Sequence, residues 1–152
     1  MLGRVKPSSA TALTDPTLQF LQTLWALDHG LQSHSKRMKT RTGVTGPQRL
    51  LLRILSKHPG AAPSQLARLL FFDKGTVTVI LRTLERSGFV RRRPNPADAR
   101  GVLLDLTPKG RRVARESRAT VEAVVRATLA QVSDADIRTT RKVLDQLAAA
   151  FA

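Results

Sequence analysis

Cysteine is absent from the chain, and so is tyrosine. Without a thiol there is no disulfide, no thiolate metal site and no cysteine redox switch. Aromatic residues amount to only 4%, with Trp25 the single tryptophan, so an aromatic ligand cage has few candidates. Acidic side chains are scarce beside basic ones: 11 Asp and Glu face 26 Lys and Arg, a formal net charge of +15. That imbalance concentrates polyanions at the surface and suits nucleic acid or an anionic membrane; a purely solvating charge is the plainer alternative. No apolar run is long enough to span a bilayer. The stretch MLGRVKPSSATALTD lacks the continuous apolar segment of a signal peptide, so a cytoplasmic location is expected.

Catalytic patterns are missing as well. His29 and His34 are five residues apart and share a helical face poorly, and no histidine–carboxylate cluster has metal-ligand spacing. Asp134 and Asp136 read as first-turn helix charges rather than paired acids. Gly75 and Gly101 stand alone, so no phosphate-cradling loop is present. No metal, cofactor or catalytic residue is expected, and the chain reads as other than an enzyme.

At 152 residues the chain suits one domain with a real core. Residues 1–14 read as a flexible N-terminal arm and residues 15–152 as the folded part. Asp15-Pro16 supplies an N-cap and an N1 proline, and the helix it starts, with Leu18, Leu21, Leu24, Trp25, Leu27 and Leu31 on a broad apolar face, ends near Gly43. Thr45-Gly46-Pro47-Gln48 fits a capping box for a second helix with Leu50, Leu51, Ile54 and Leu55 inward. Pro63 opens a short third helix turning Leu66, Ala67, Leu69 and Leu70 inward. Asp73 caps a fourth, with Val77, Ile80, Leu81 and Leu84 inward and Gly88 as its left-handed stop. Phe89 to Arg93 and Val102 to Leu106 read as strands around an Arg-rich loop. Thr107-Pro108 starts a long helix reaching Leu129, and Ser133 and Asp136 cap a last one after Val132.

This order, two short helices and then a basic hairpin, is that of a winged helix-turn-helix. A helix entering a DNA major groove needs small polar or basic residues near its N-terminus; Lys74, Gly75, Thr76 and Thr78 meet that need, and Arg82 and Arg86 lie further along. Arg91, Arg92 and Arg93 flank the loop, although strand alternation sends them to different sides. Arg100 stands near its tip or return side, with Asp98 two residues away as a brace for the guanidinium. A braced arginine loses less freedom on entering a narrow minor groove.

The chain resembles the MarR family of transcriptional regulators. The match runs through Gly46-Pro47-Gln48 with Leu51-Leu52-Arg53-Ile54-Leu55, Leu66-Ala67, Asp73 to Thr78, Leu84 to Arg92, Asp98-Ala99-Arg100 and Leu104 to Gly110. The resemblance implies a mainly α fold of six helices with a two-stranded wing: a DNA-binding lobe over residues 44–110 and dimerisation helices over 15–43 and 107–152. It implies that Ser64 contacts phosphate and that Lys74 to Thr78 open the recognition helix. Arg100 becomes the wing-tip arginine and Asp98 its brace. Val79 and Thr83 stand where members often carry arginine, Arg82 where an acid is common, and Phe71 where a small turn residue is expected.

The apolar faces of the first and last helices exceed what a winged core would cover, which points to a homodimer on a palindromic DNA site. The resemblance also implies a small-molecule effector held between the dimer helices and the lobe, with Trp25, His29 and Arg53 as candidate wall residues and His34 and His58 behind them. The expected function is a sequence-specific double-stranded DNA-binding regulator, a repressor released by a ligand. The rival reading is an architectural DNA binder of low sequence preference, which the same charge would serve.

Overall fold

A computed structural model describes residues 15–151; the expected N-terminal arm lies outside them. α1 (Pro16–Thr42) starts where Asp15 accepts the Thr17 N–H at 2.8 Å. It stops at Gly43, whose φ of 79° is a left-handed conformation that costs glycine least. α2 (Gly46–Lys57) begins at a box in which the Gln48 side chain accepts the Thr45 N–H at 2.9 Å, and Ser35 of α1 accepts the Gly46 N–H at 2.7 Å. α3 (Pro63–Leu70) and α4 (Lys74–Arg86) follow. β1 (Val90–Asn95) and β2 (Asp98–Leu106) pair antiparallel from Val90↔Leu106 to Pro94↔Val102. A lone bridge between Ala61 and Leu104 ties the approach to α3 onto the hairpin.

The core gathers where these elements meet: Val44, Leu51, Leu52 and Leu55, Leu66 and Leu70, Val77, Ile80, Leu81 and Leu84, then Phe89, Val90, Leu104 and Leu106. The inward face of α4 is the expected one. The α2 stripe is rotated: Leu52 is buried while Leu50 is exposed, because the face toward α3 and α5 runs through Leu51, Leu52 and Leu55. Leu69 is likewise on the exposed side of α3.

The helix expected from Thr107 to Leu129 is two helices, giving seven in all among the described residues. α5 (Pro108–Arg115) ends at Glu116, α6 (Val121–Leu129) starts after Thr120, and α7 (Asp134–Phe151) completes the chain. Local and distant groups make the break. The Glu116 carboxylate accepts the N–H groups of Ser117 and Arg118 at 2.9 and 2.8 Å, Ala119 takes φ 47°, and Thr120 caps Ala123. Arginines from other helices satisfy the carbonyls that end α5 and span the break: Arg49 donates to Val113 and Glu116, Arg53 to Ala114 and Arg41 to Arg118 and Ala119. Helices α6 and α7 bury no residue, and Leu18, Trp25, Leu27, Val124, Val125, Leu144 and Phe151 all lie exposed.

Candidate nucleic-acid interface

α4 is presented by its cap. Asp73 accepts the Thr76 N–H at 2.8 Å and the Thr76 hydroxyl at 2.5 Å. These bonds, the hydroxyl first, hold the Asp73 carboxyl below its ordinary value, so the cap stays ionised at the positive end of the helix. A Cβ at Gly75 would come within 3.0 Å of Asp73 Oδ1; glycine gives that carboxylate room to fold back. With Val77, Ile80, Leu81 and Leu84 inward, the helix turns Lys74, Gly75, Thr78, Val79, Arg82 and Arg86 to solvent.

The far end of α4 is locked to the wing. Lys109 donates to the Ser87 carbonyl at 2.8 Å and lies 4.4 Å from the centroid of the Phe89 ring. Thr107 donates to the Gly88 carbonyl at 2.7 Å and caps Gly110 at 3.1 Å. A Cβ on Gly110 would sit 2.0 Å from the Phe89 carbonyl oxygen, so only glycine lets α5 start this close to the strand. The Leu-Thr-Pro-Lys-Gly run is thus a joint between helix, hairpin and α5.

Two of the wing arginines are held by acids. Arg92 pairs with Glu85 of α4, and Arg93 with Asp105 at 2.7 Å. Arg100 is free of both arrangements. Asn95 pairs with Asp98 and Pro94 with Val102, which leaves Ala99, Arg100 and Gly101 without partners on β1. That excursion puts Arg100 at the middle of a bulge, exposed to solvent. The expected brace acts elsewhere: Asp98 Oδ1 accepts the backbone N–H of Arg100 at 2.9 Å, shaping the bulge and leaving the guanidinium free.

Of the residues singled out from the sequence, Lys74, Gly75, Thr76, Thr78 and Arg82 share α4 and Arg100 crowns the wing. Ser64 is exposed in the first turn of α3. Arg92 is held by Glu85, a partner that strand alternation did not reveal. The proposed ligand wall is not assembled. A cavity of about 1070 Å³ lies between α1, α2 and α6, lined by Asp28, Leu31, Ser35, Lys36, Leu50, Phe72, Glu122, Val125, Arg126 and Leu129 among others. Trp25 stands one turn beyond its end on α1, His29 is one residue out of phase with the lining stripe, and Arg53 is bonded to the end of α5 in a separate groove. Phe72, between α3 and α4, was missed; its neighbour Asp73 is the α4 cap. Among the described residues no three His, Asp or Glu side chains are grouped to hold a metal, and no helix is long and apolar enough to cross a membrane.

Helix, turn, outward helix and basic hairpin in this order define a winged helix-turn-helix protein. Comparison with known proteins narrows the class: residues 44–102 match the MarR family. The chain is 31% identical over 105 residues to an HTH-type transcriptional repressor of Mycobacterium bovis, covering 69% of this chain and 76% of that protein. It is 34% identical over 109 residues to the regulator TtmR of Methylorubrum extorquens, covering 72% of this chain but 53%, about half, of the relative. Among solved structures, a MarR family transcription regulator superposes with a TM-score of 0.69 at 31% identity over 91% of each chain. The Staphylococcus aureus MepR–DNA complex shares the fold, with a TM-score of 0.72 at 18% identity over 88% of this chain and 98% of that one. The chain therefore belongs to the MarR family, a family of transcription regulators and not of enzymes.

Proposed function

We propose that the protein is a homodimeric repressor that binds a palindromic double-stranded DNA site sequence-specifically and is released by a small-molecule ligand. One observation carries the DNA reading: the outward face of α4 and the crown of the wing present Lys74, Arg82 and Arg100, none of which is in an ion pair among the described residues. Phosphates are the partner that such cations suit, and the α4 N-terminus is built to approach base edges. A structural relative solved with DNA supports this role. Ser64 faces the same solvent at the start of α3 and is assigned a phosphate contact. Arg92 acts through Glu85, holding the wing against α4.

The uncovered apolar side chains of α1, α6 and α7 support a second copy of the chain as the dimer partner. The cavity beside them supports the effector. Its wall is mostly apolar and includes Phe72, one residue before the α4 cap, so an occupant that displaces Phe72 moves the start of the reading helix.

The test is selection of binding sites from random duplexes near physiological salt. An enriched inverted repeat supports the reading; binding without enrichment replaces it with an architectural DNA protein. On the selected site, Arg100→Ala is expected to weaken binding about tenfold or more with the fold intact. Unchanged affinity refutes the wing contact.

A further inference from the structure

Gly75, Val79, Arg82 and Arg86 follow one another at helical spacing on the side of α4 opposite its buried stripe. Val79 is 63% exposed. An apolar, β-branched side chain there serves no core. The threonines around it have their hydroxyl protons engaged within the helix. Thr76 donates to Asp73 Oδ2 at 2.5 Å, Thr78 to the Lys74 carbonyl at 2.7 Å and Thr83 to the Val79 carbonyl at 3.1 Å. What each leaves for a partner is its methyl group and acceptor lone pairs. Between Lys74 at one end and Arg82 and Arg86 at the other, the face therefore offers no free side-chain donor.

Guanine N7 and O6 and adenine N7 are acceptors and need donors to read them. The one apolar feature of the major groove is the C5 methyl of thymine. We propose that α4 reads thymine through that methyl, with Val79 as the specificity-determining contact. The proposal rests on α4 being the DNA-reading helix. Gly75, one turn before Val79, carries no side chain to hold the backbone away from the groove, which suits a residue as short as valine.

The test uses the full chain and the tightest duplex recovered from a random pool. Each thymine in turn is replaced by deoxyuridine, which deletes the methyl and leaves base pairing intact, and Kd is read by fluorescence anisotropy at fixed salt. At one thymine per half-site the wild type is expected to lose about fourfold, as for one methyl-sized group returned to water. Val79→Ala is expected to bind the thymine duplex more weakly and to be indifferent to that replacement. Because Val79 is exposed, the variant should melt with the wild type. If every deoxyuridine duplex binds like its parent, or if Val79→Ala keeps the full penalty, methyl reading by Val79 is overturned while sequence-specific binding stands. A pool that yields no enriched site overturns the underlying sequence-specific reading, and the thymine proposal falls with it.

Discussion

Replacing Glu122 with alanine should cost more stability than its partly exposed position suggests. The reason is Arg49, whose guanidinium lies inside the fold at 2% exposure. Its Nε lies 2.9 Å from one Glu122 oxygen and 3.0 Å from the other, while its two terminal nitrogens donate to the carbonyls of Val113 and Glu116. Without the carboxylate, the guanidinium keeps two neutral acceptors and no counter-charge. Breaking a fully buried pair costs about 3–5 kcal/mol. Glu122 is 29% exposed and water can partly replace it, so the loss should fall near the low end, about 2–3 kcal/mol. For a domain of this size that lowers Tm by about 6–10 °C.

Thermal and urea unfolding of the variant measure this directly, and an unchanged urea slope confirms that the same surface is exposed. Replacing both partners together, Arg49→Met with Glu122→Leu, should recover only part of the loss, because neither charge then needs burying but the Val113 and Glu116 carbonyls lose their donor. A Tm for Glu122→Ala within about 2 °C of wild type would refute the argument, since it would mean that the two carbonyls alone satisfy Arg49.

Two other substitutions probe the joints around α4. Gly110→Ala should destabilise by about 3 kcal/mol or more, because the new Cβ meets a backbone oxygen that cannot move aside; a melt at the wild-type temperature refutes the contact. Phe71→Gly should stabilise by about 1 kcal/mol, because Phe71 holds φ at 54° while its side chain is 88% exposed; loss of stability on urea unfolding would show that the ring makes a contact in solution.

What was legible in the sequence is what neighbours decide. Asp73 and Gly88 bracket α4 through bonds within a few residues, and Asp15, Pro16 and Gly43 do the same for α1. The wing and the run from Leu104 to Gly110 were legible because a tight joint admits few residue types. The break at Glu116 was hidden. Val113, Val121, Val124 and Val125 keep helical spacing across it, while the arginines that cap the broken end come from α1 and α2, more than sixty residues earlier. The same holds for Arg92, whose partner Glu85 lies on another element, and for the cavity, whose wall draws on three helices and the turn before α4. Trp25 and His29 have the chemistry of wall residues, but the phase and length of α1 put both off the lining.

The formal charge of +15 overstates the DNA footprint, and salt dependence will show by how much. Arg41, Arg49, Arg53, Arg111 and Lys109 donate to backbone carbonyls, and Arg92 and Arg93 are paired with acids. These cations are part of the frame. On α4 and the wing bulge, Lys74, Arg82, Arg86 and Arg100 remain exposed without such partners. If each neutralises one phosphate in a dimer, log Kobs should fall with log salt at a slope of about −7. The measurement is a series of anisotropy titrations on the selected duplex between low and physiological salt. A slope beyond about −12 would mean that cations outside these four reach the DNA, the exposed Arg68 and Arg91 or those assigned to the frame, and that footprint would be too small. A slope near −4 would mean that one protomer binds at a time, because only half of the contacts would then displace counterions.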